Sequence, residues 1–482
     1  MVEPSPNSGD GTSPKRICEG CVGESYLKRL IASDGAVAEC SYCEEESKTY
    51  TIERLADLIE GAFDAHYERT STEPDSFEAA MMSDRESNYH WERHGQPVLW
   101  AIVDVADISE GAARDVLSVL QDRHFDHESA KMGEESEFDD DSHYEEKHPG
   151  CDELSWSWWE FERRLKTERR YFSGPAHAIL EEVFAGLAAL RTREGTSVIV
   201  EAGPGTALGS VYRARVFAAE DDKLELALKY PWLHLGPPPI GTARAGRMNA
   251  QGVSVFYGAV DATTALAEVR PPVGSKVAVA RFTIDRPLKL LDVQALKAVI
   301  ARGSVFDPAY VGQLQRARFL EILSGRITRP VMPNEEALEY LATQVIADYL
   351  AAAARLDGIM FPSVQVGQGN SNITLFHHAS RLAEVEIPKQ ADVTASLQQQ
   401  DSDGIHPDYN VWEEVAPEAP RATAEVDPLG LSIRPWEREV DNRPPVLSID
   451  LAGIAIHHVT AVSFNVETYP VRRHRMVKPT VF

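Results

Sequence analysis

Apolar side chains recur at Ile52, Leu55, Ile59, Ala62 and Phe63, the three-and-four spacing of one helix face, so a helix is expected over 50–67. After a polar stretch comes the apolar run VLWAIVDV (98–105), then a helix expected over 107–121 with Asp107 at its N-cap three residues before Glu110. A further helical section opens near Asp152 with Trp156, Trp158, Trp159 and Phe161, and Pro175 starts another that presents Leu180, Val183, Phe184 and Leu187. The pattern changes after Gly195. SVIVEAG, SVYRARVFA, VAVARFTI (277–284) and PLKLLDV (287–293) alternate or run apolar as strands do, with GPGTALG as a turn. Val253–Tyr257 alternates as a strand that stops at Gly258 and feeds a short helix ending at Glu268. Two helices, 310–327 and one starting at Asn334, precede GIMFPSVQVGQGNSNITLF (358–376), a strand, a Gly/Ser/Asn-rich loop and a strand.

This order of elements predicts an α+β protein of several domains, as 482 residues require. Residues 1–16 are Ser, Pro and Gly-rich and are expected to be disordered. Residues 17–48 hold the first four cysteines, and 49–193 form a helical domain. Within it, 134–153 carry ten acidic residues against one lysine and read as a solvated loop. The β-rich domain spans 195–389. Residues 390–445, with a Gln run and seven prolines between Pro407 and Pro445, read as an extended segment, and 446–470 as a terminal β-hairpin joined to the main sheet.

Charge then narrows the partners. A formal net charge of −27 argues against general affinity for nucleic-acid backbones or anionic membranes. No apolar run approaches the roughly 18 residues of a spanning helix, and the N-terminus lacks a signal peptide's apolar core. A cytoplasmic location is expected, where cysteines stay reduced and serve as ligands. Cys18-x-x-Cys21 and Cys40-x-x-Cys43 have the spacing of a zinc ribbon, in which four thiolates close a structural site with no open position for catalysis. A redox CxxC would not need the second copy.

Three residues between Ala245 and Pro271 could carry chemistry. Arg247 follows a glycine in a loop, where a guanidinium can fork onto phosphate oxygens. Tyr257 ends its strand, and Glu268 closes a helix whose other face is apolar. Downstream, Ser363 follows Pro362 beside the GQGNSN loop. A carboxylate beside a nucleotide C–N bond can stabilise an oxocarbenium-like transition state, as carboxylates do for glycosides. The spacing alone also allows an Arg247–Glu268 surface ion pair and an ordinary strand-edge tyrosine. GPGTALG is a poor nucleotide fingerprint, since no helix or acid follows at the needed distance.

The segment GRMNAQGVSVFYGAVDATTALAEV resembles the core signature of RES-domain proteins, named for Arg, Glu and Ser. VYRAR upstream, with Arg213, and EYLATQ, DGIMFPS, Asn372 and Leu375-Phe376 downstream extend the resemblance over about 200–385. Met248 departs from it, standing where many members have Trp, which would loosen packing near the pocket. The N-terminal region resembles the zinc-ribbon and HEPN-related helical domain that precedes some RES domains.

The resemblance implies an ADP-ribosyltransferase-like fold with NAD in the cleft of a split sheet. It also implies cleavage of the nicotinamide–ribose bond by hydrolysis or phosphorolysis, or transfer of ADP-ribose. By position, Arg213 and Arg247 would hold the pyrophosphate or ribose, Tyr257 would pack on the nicotinamide or its ribose, and Glu268 would stabilise the cation at C1′ or orient the attacking water or phosphate. Ser363 and Asn372 would hydrogen-bond the nicotinamide side or the ribose. A toxin or defence effector, with an antitoxin or regulatory protein as partner, follows from the same resemblance, and the acidic 134–153 segment would cover the basic cleft. Two other readings stay open. One is a catalytically silent RES-fold sensor; the other is a HEPN-type ribonuclease using Arg85 and His90, which stand as R-x4-H in a polar segment.

Overall fold

The computed structural model describes residues 14–84, 88–125, 131–132, 135–147, 149–170, 174–218, 220–332, 334–366, 369–387, 391–402, 404–415, 441–463 and 465–475. The fold is α+β, and the chain divides into two compact units, Met1–Trp159 with Val299–Leu323, and Glu160–Ala298 with Ser324–Phe482.

The first unit begins with strands β1 (Arg16–Cys18), β2 (Ala36–Glu39) and β3 (Glu46–Thr51), an antiparallel sheet in the order β1-β3-β2, with α1 (Ser25–Asp34) between the first two. The Thr51 hydroxyl accepts from the Arg54 N–H and starts α2 (Ile52–His66), which buries the face read from the sequence. β4 (Tyr67–Arg69), α3 (Ser76–Ser83) and β5 (Gln96–Pro97) follow. The apolar run 98–105 is itself a helix, α4 (Val98–Ala106). Asp107, expected to cap the next helix, instead ends this one in the left-handed region at φ 49°, a conformation Asp tolerates. Ser109 caps α5 (Glu110–His124), its Oγ accepting from the Ala112 N–H.

The acidic segment is not the solvated loop its charge suggested. It contains β6 (His143–Glu146), which pairs with both β4 and β5. Phe138 and Tyr144 are buried against Phe63, with ring centroids 5.5 and 5.0 Å from it. Two aromatic anchors outweigh the surrounding carboxylates, of which Glu135 is itself held by Arg93 at 2.8 Å. α6 (Asp152–Thr167) carries the chain into the second unit; its Trp158 and Phe161 are buried while Trp156 and Trp159 are exposed.

The second unit comprises α7 (Gly174–Phe184), β7 (Ile199–Ala202), β8 (Ser210–Phe217), α8 (Asp221–Lys229), α9 (Pro231–His234), β9 (Phe256–Ala259), α10 (Ala262–Glu268), β10 (Lys276–Ile284) and β11 (Leu288–Asp292). It continues from the end of α11 (Tyr310–Thr328) through α12 (Glu336–Ala352), β12 (Gly358–Pro362), β13 (Ser371–Leu375), β14 (Asp392–Asp401), β15 (Gly404–Glu414), β16 (Leu447–Ile449) and β17 (Ala455–His458). A nine-stranded sheet runs β16-β10-β8-β9-β13-β12-β11-β7, with β17 also on β10. β11 and β12 pair in parallel among otherwise antiparallel neighbours, so the sheet is mixed.

Its middle is barely joined. β8 and β9 share one rung, Tyr212 opposite Ala259, whereas β8 pairs with β10 over eight residues. The strand expected over 253–257 is the shifted β9, which runs through Gly258. Gly258 is there for space: a Cβ would stand 2.7 Å from the Tyr212 carbonyl oxygen and 2.7 Å from the Phe256 ring.

Two expectations for the C-terminal part are corrected. β16 and β17 do not form a hairpin; both pair antiparallel with successive parts of β10 and so extend the sheet at its edge. Within 390–445, β14 and β15 make a two-stranded hairpin with a register shift between Ser396 and Gln398, because the period-two pattern of Ile405, Tyr409 and Val411 outlasts the single proline at 407.

Candidate functional site

Residues of β8 and β9 line a cleft of about 570 Å³, together with the end of α10, the loop 245–247, the segment leading into α12, and Asn372 of β13. α10 is only seven residues long and needs its cap. Asp261 accepts from the Thr264 N–H at 2.8 Å and from its hydroxyl at 2.6 Å, which sets the helix so that Glu268 ends it on the cleft wall.

Glu268 is gripped from two strands. Ser363, just after β12, donates to Oε1 at 2.5 Å, and Asn372 Nδ2 donates to the same oxygen at 2.7 Å. Both donors are buried, at 4% and 6% exposure, so the grip is shielded from water. Among the described residues no group donates to Oε2 of Glu268, which leaves that oxygen for a ligand, and Asn372 Oδ1 is buried without a partner.

Tyr257 is held by its hydroxyl. It donates to Asn249 Oδ1 at 2.8 Å and accepts from the Met248 N–H at 2.9 Å. Asn249 in turn donates to the carbonyls of Arg244, Ala250 and Val253, knotting the loop. Gly246 makes room, since a Cβ there would stand 2.6 Å from the tyrosine hydroxyl. Burial pushes the Tyr257 phenol up to about 12, so it stays neutral and acts through its ring and its O–H. Met248 is 2% exposed and offers its N–H to this knot.

The two arginines differ. Arg247 lines the cleft, but its guanidinium already donates to the carbonyls of Ile327 and Arg329, at 2.6 and 2.8 Å, and lies 5.2 Å from the Tyr340 ring centre. It closes the C-terminal end of α11, whose last carbonyls lack helical partners. Thr343 and Gln344 of α12 grip the same loop by donating to the carbonyls of Arg247 and Gly246. No Arg247–Glu268 ion pair forms among the described residues, so the surface-pair alternative falls away. Arg213 donates weakly, at 3.3 Å, to the Tyr257 carbonyl and lies 5.4 Å from the Phe256 ring centre. Desolvation first, and then the neighbouring charge of Arg215, lower its pKa to about 10.

In the first unit the thiol sulfurs of Cys18, Cys21, Cys40 and Cys43 lie within 4.8 Å of one another, with Cys18–Cys43 at 3.5 Å and Cys21–Cys40 at 3.8 Å. A tetrahedron with metal–sulfur bonds of about 2.3 Å has edges near 3.8 Å, so the four could hold a metal ion. Burial raises the Cys40 pKa, but the N–H groups of Tyr42, Cys43 and Cys18 outweigh it and bring the thiol down to about 7.

The structure thus gathers Arg213, Arg247, Tyr257, Glu268, Ser363 and Asn372 around one cleft. Arg85 lies outside the described residues, and His90 is exposed in a loop. The sequence reading missed Asn249 and Tyr340 as site supports; the Tyr-x-x-Thr-Gln spacing on α12, which sets Tyr340, Thr343 and Gln344 on one face, was the available signal.

No curated protein is matched by this chain. A chain from the crystal structure of the M. tuberculosis MbcT-MbcA toxin-antitoxin complex is similar at 13% identity, over 35% of this chain and 74% of that one, with a TM-score of 0.17. The family model described as RES domain matches residues 211–398, from β8 to β14.

Proposed function

We propose that the RES domain binds NAD in this cleft and breaks its nicotinamide–ribose bond. The observation that carries the reading is the Glu268 carboxylate, fixed through one oxygen by Ser363 and Asn372 and open at the other, on the wall of a cleft large enough for a nucleotide. The C1′–N bond breaks with its electron pair moving onto the pyridinium nitrogen, so nicotinamide leaves neutral. The cation developing at C1′ faces Oε2 of Glu268. An oxygen of water or phosphate then bonds to C1′ and loses its proton. Tyr257 packs against the nicotinamide side, and Arg213 faces the phosphates. Arg247 shapes the cleft by holding the end of α11 and offers its remaining N–H donors to the ligand.

The four thiolates hold a structural zinc ion in this reading. Their short sulfur–sulfur distances and the absence of a fifth donor in the cluster among the described residues support a closed site. A toxin or defence role, restrained by an antitoxin or regulatory protein, follows from the RES relationship. The test is nicotinamide release from NAD by the full chain, with and without inorganic phosphate, comparing the wild type with Glu268→Gln. Release by the wild type and its loss in the variant support the reading; equal release by both overturns the site, and no release by the wild type overturns the activity.

A further inference from the structure

A second pocket, of about 520 Å³, shares Arg213 and Ala214 with the first. Its charged wall consists of Arg213, Arg215 and Arg244, with His234 and the Pro237–Pro239 run completing it. In a chain of net charge −27, its lining holds three arginines and not one carboxylate. Among the described residues none of the three arginines has an ion-pair partner. Surface cations in so acidic a chain normally find one, as Lys229 and Lys276 do nearby on α8 and β10.

The pocket is also built rather than incidental. Arg213 and Arg215 stand two apart on β8 and so share a face. Arg215 spends one donor on the His234 carbonyl at the end of α9, which fixes its reach. The Ser254 hydroxyl donates to the Pro238 carbonyl at 2.6 Å and Thr242 to that of Pro239 at 2.8 Å, pinning the proline run. The Arg244 carbonyl is held at 2.9 Å by Asn249, the same side chain that holds Tyr257. Desolvation and the mutual repulsion of Arg213 and Arg215 burden the cluster when nothing is bound.

We propose that this pocket is a phosphate-binding site, continuous with the Glu268 cleft through Arg213, in which Arg215 and Arg244 are the ligand-contacting residues. An anion there neutralises three guanidinium groups at once and accepts charge-assisted hydrogen bonds in their fork geometry. The occupant is either free inorganic phosphate or the phosphate ester of a nucleotide lying across both pockets. The site does not depend on which bond the cleft breaks.

Calorimetric titration of the full chain with inorganic phosphate and, separately, with ADP at fixed ionic strength tests it. The proteins are the wild type, Arg244→Ala, Arg215→Ala/Arg244→Ala and Glu268→Gln. The wild type binds at least one probe, and the double variant weakens that binding about tenfold or more, as the loss of two charge-assisted contacts requires. Arg244→Ala sits on an exposed loop, keeps the fold, and shows part of the loss alone. A loss confined to inorganic phosphate identifies free phosphate as the occupant; a loss that includes ADP identifies the ester. No binding by the wild type, or equal affinity in wild type and both arginine variants, overturns the proposal. If Glu268→Gln releases nicotinamide like the wild type while phosphate affinity still depends on Arg215 and Arg244, the cleavage site fails and the phosphate site stands.

Discussion

Ser363 donates its hydroxyl hydrogen to Oε1 of Glu268 at 2.5 Å, across 95 residues of chain, and so ties the end of a short helix to the end of β12. Asn372 repeats the grip from β13. The carboxylate is aimed by the sheet rather than by its own seven-residue helix.

Glu268→Gln keeps the size and an acceptor oxygen but removes the charge that, in the proposed reaction, faces the reacting carbon. Nicotinamide release falls by roughly a hundredfold or more, while the thermal midpoint shifts little. Ser363→Ala leaves Asn372 in place and lowers kcat by about tenfold, the loss of one charged hydrogen bond. Steady-state kinetics on both variants check this, and a Ser363→Ala enzyme with wild-type kcat would show that the grip is only structural.

Tyr257→Phe strips the partner from the Met248 N–H and from Asn249 Oδ1, both in a buried loop. The cost is about 1–3 kcal/mol of stability, read as a lower denaturant midpoint with an unchanged slope.

The same phenol gives a signed pH dependence. Burial raises its pKa to about 12, above the usual value near 10. Its contribution to stability is therefore fully present below pH about 10 and is lost as pH rises through about 12. The gap in melting temperature between wild type and Tyr257→Phe narrows over that window and is constant from neutrality to pH about 9.

Gly258→Ala puts a methyl 2.7 Å from the Tyr212 carbonyl, which is backbone and cannot step aside. A loss of about 1–3 kcal/mol or more is expected. The damage centres on the single rung between β8 and β9, so amide exchange in β9 accelerates more than in β11.

Chelation or Cys40→Ser opens the thiolate cluster. Metal analysis finds one zinc per wild-type chain and none in the variant. The β1-β3-β2 sheet loses protection from exchange, because a structural zinc contributes directly to folding free energy.

The sequence by itself determined what depends on neighbours close in the chain. The α2 face, the Gly/Pro turns and the CxxC pairs were all readable, because periodicity and ligand spacing are local. The resemblance to the RES signature singled out Arg247, Tyr257 and Glu268, which their spacing alone left open. Tertiary structure decided what depends on strands that meet from far apart. That Arg247 spends two donors on the end of α11 follows from a contact 80 residues away, beyond any local pattern. The acidic 134–153 segment has the charge of a loop, and only the folded core shows that Phe138 and Tyr144 are buried and anchor it. The placement of 446–458 depended on which edge of β10 was free, and an edge exists only once the sheet is assembled. The phosphate pocket depends on the same long-range assembly. Its three arginines are 31 residues apart at most, yet their lack of carboxylate partners is a property of the folded surface alone.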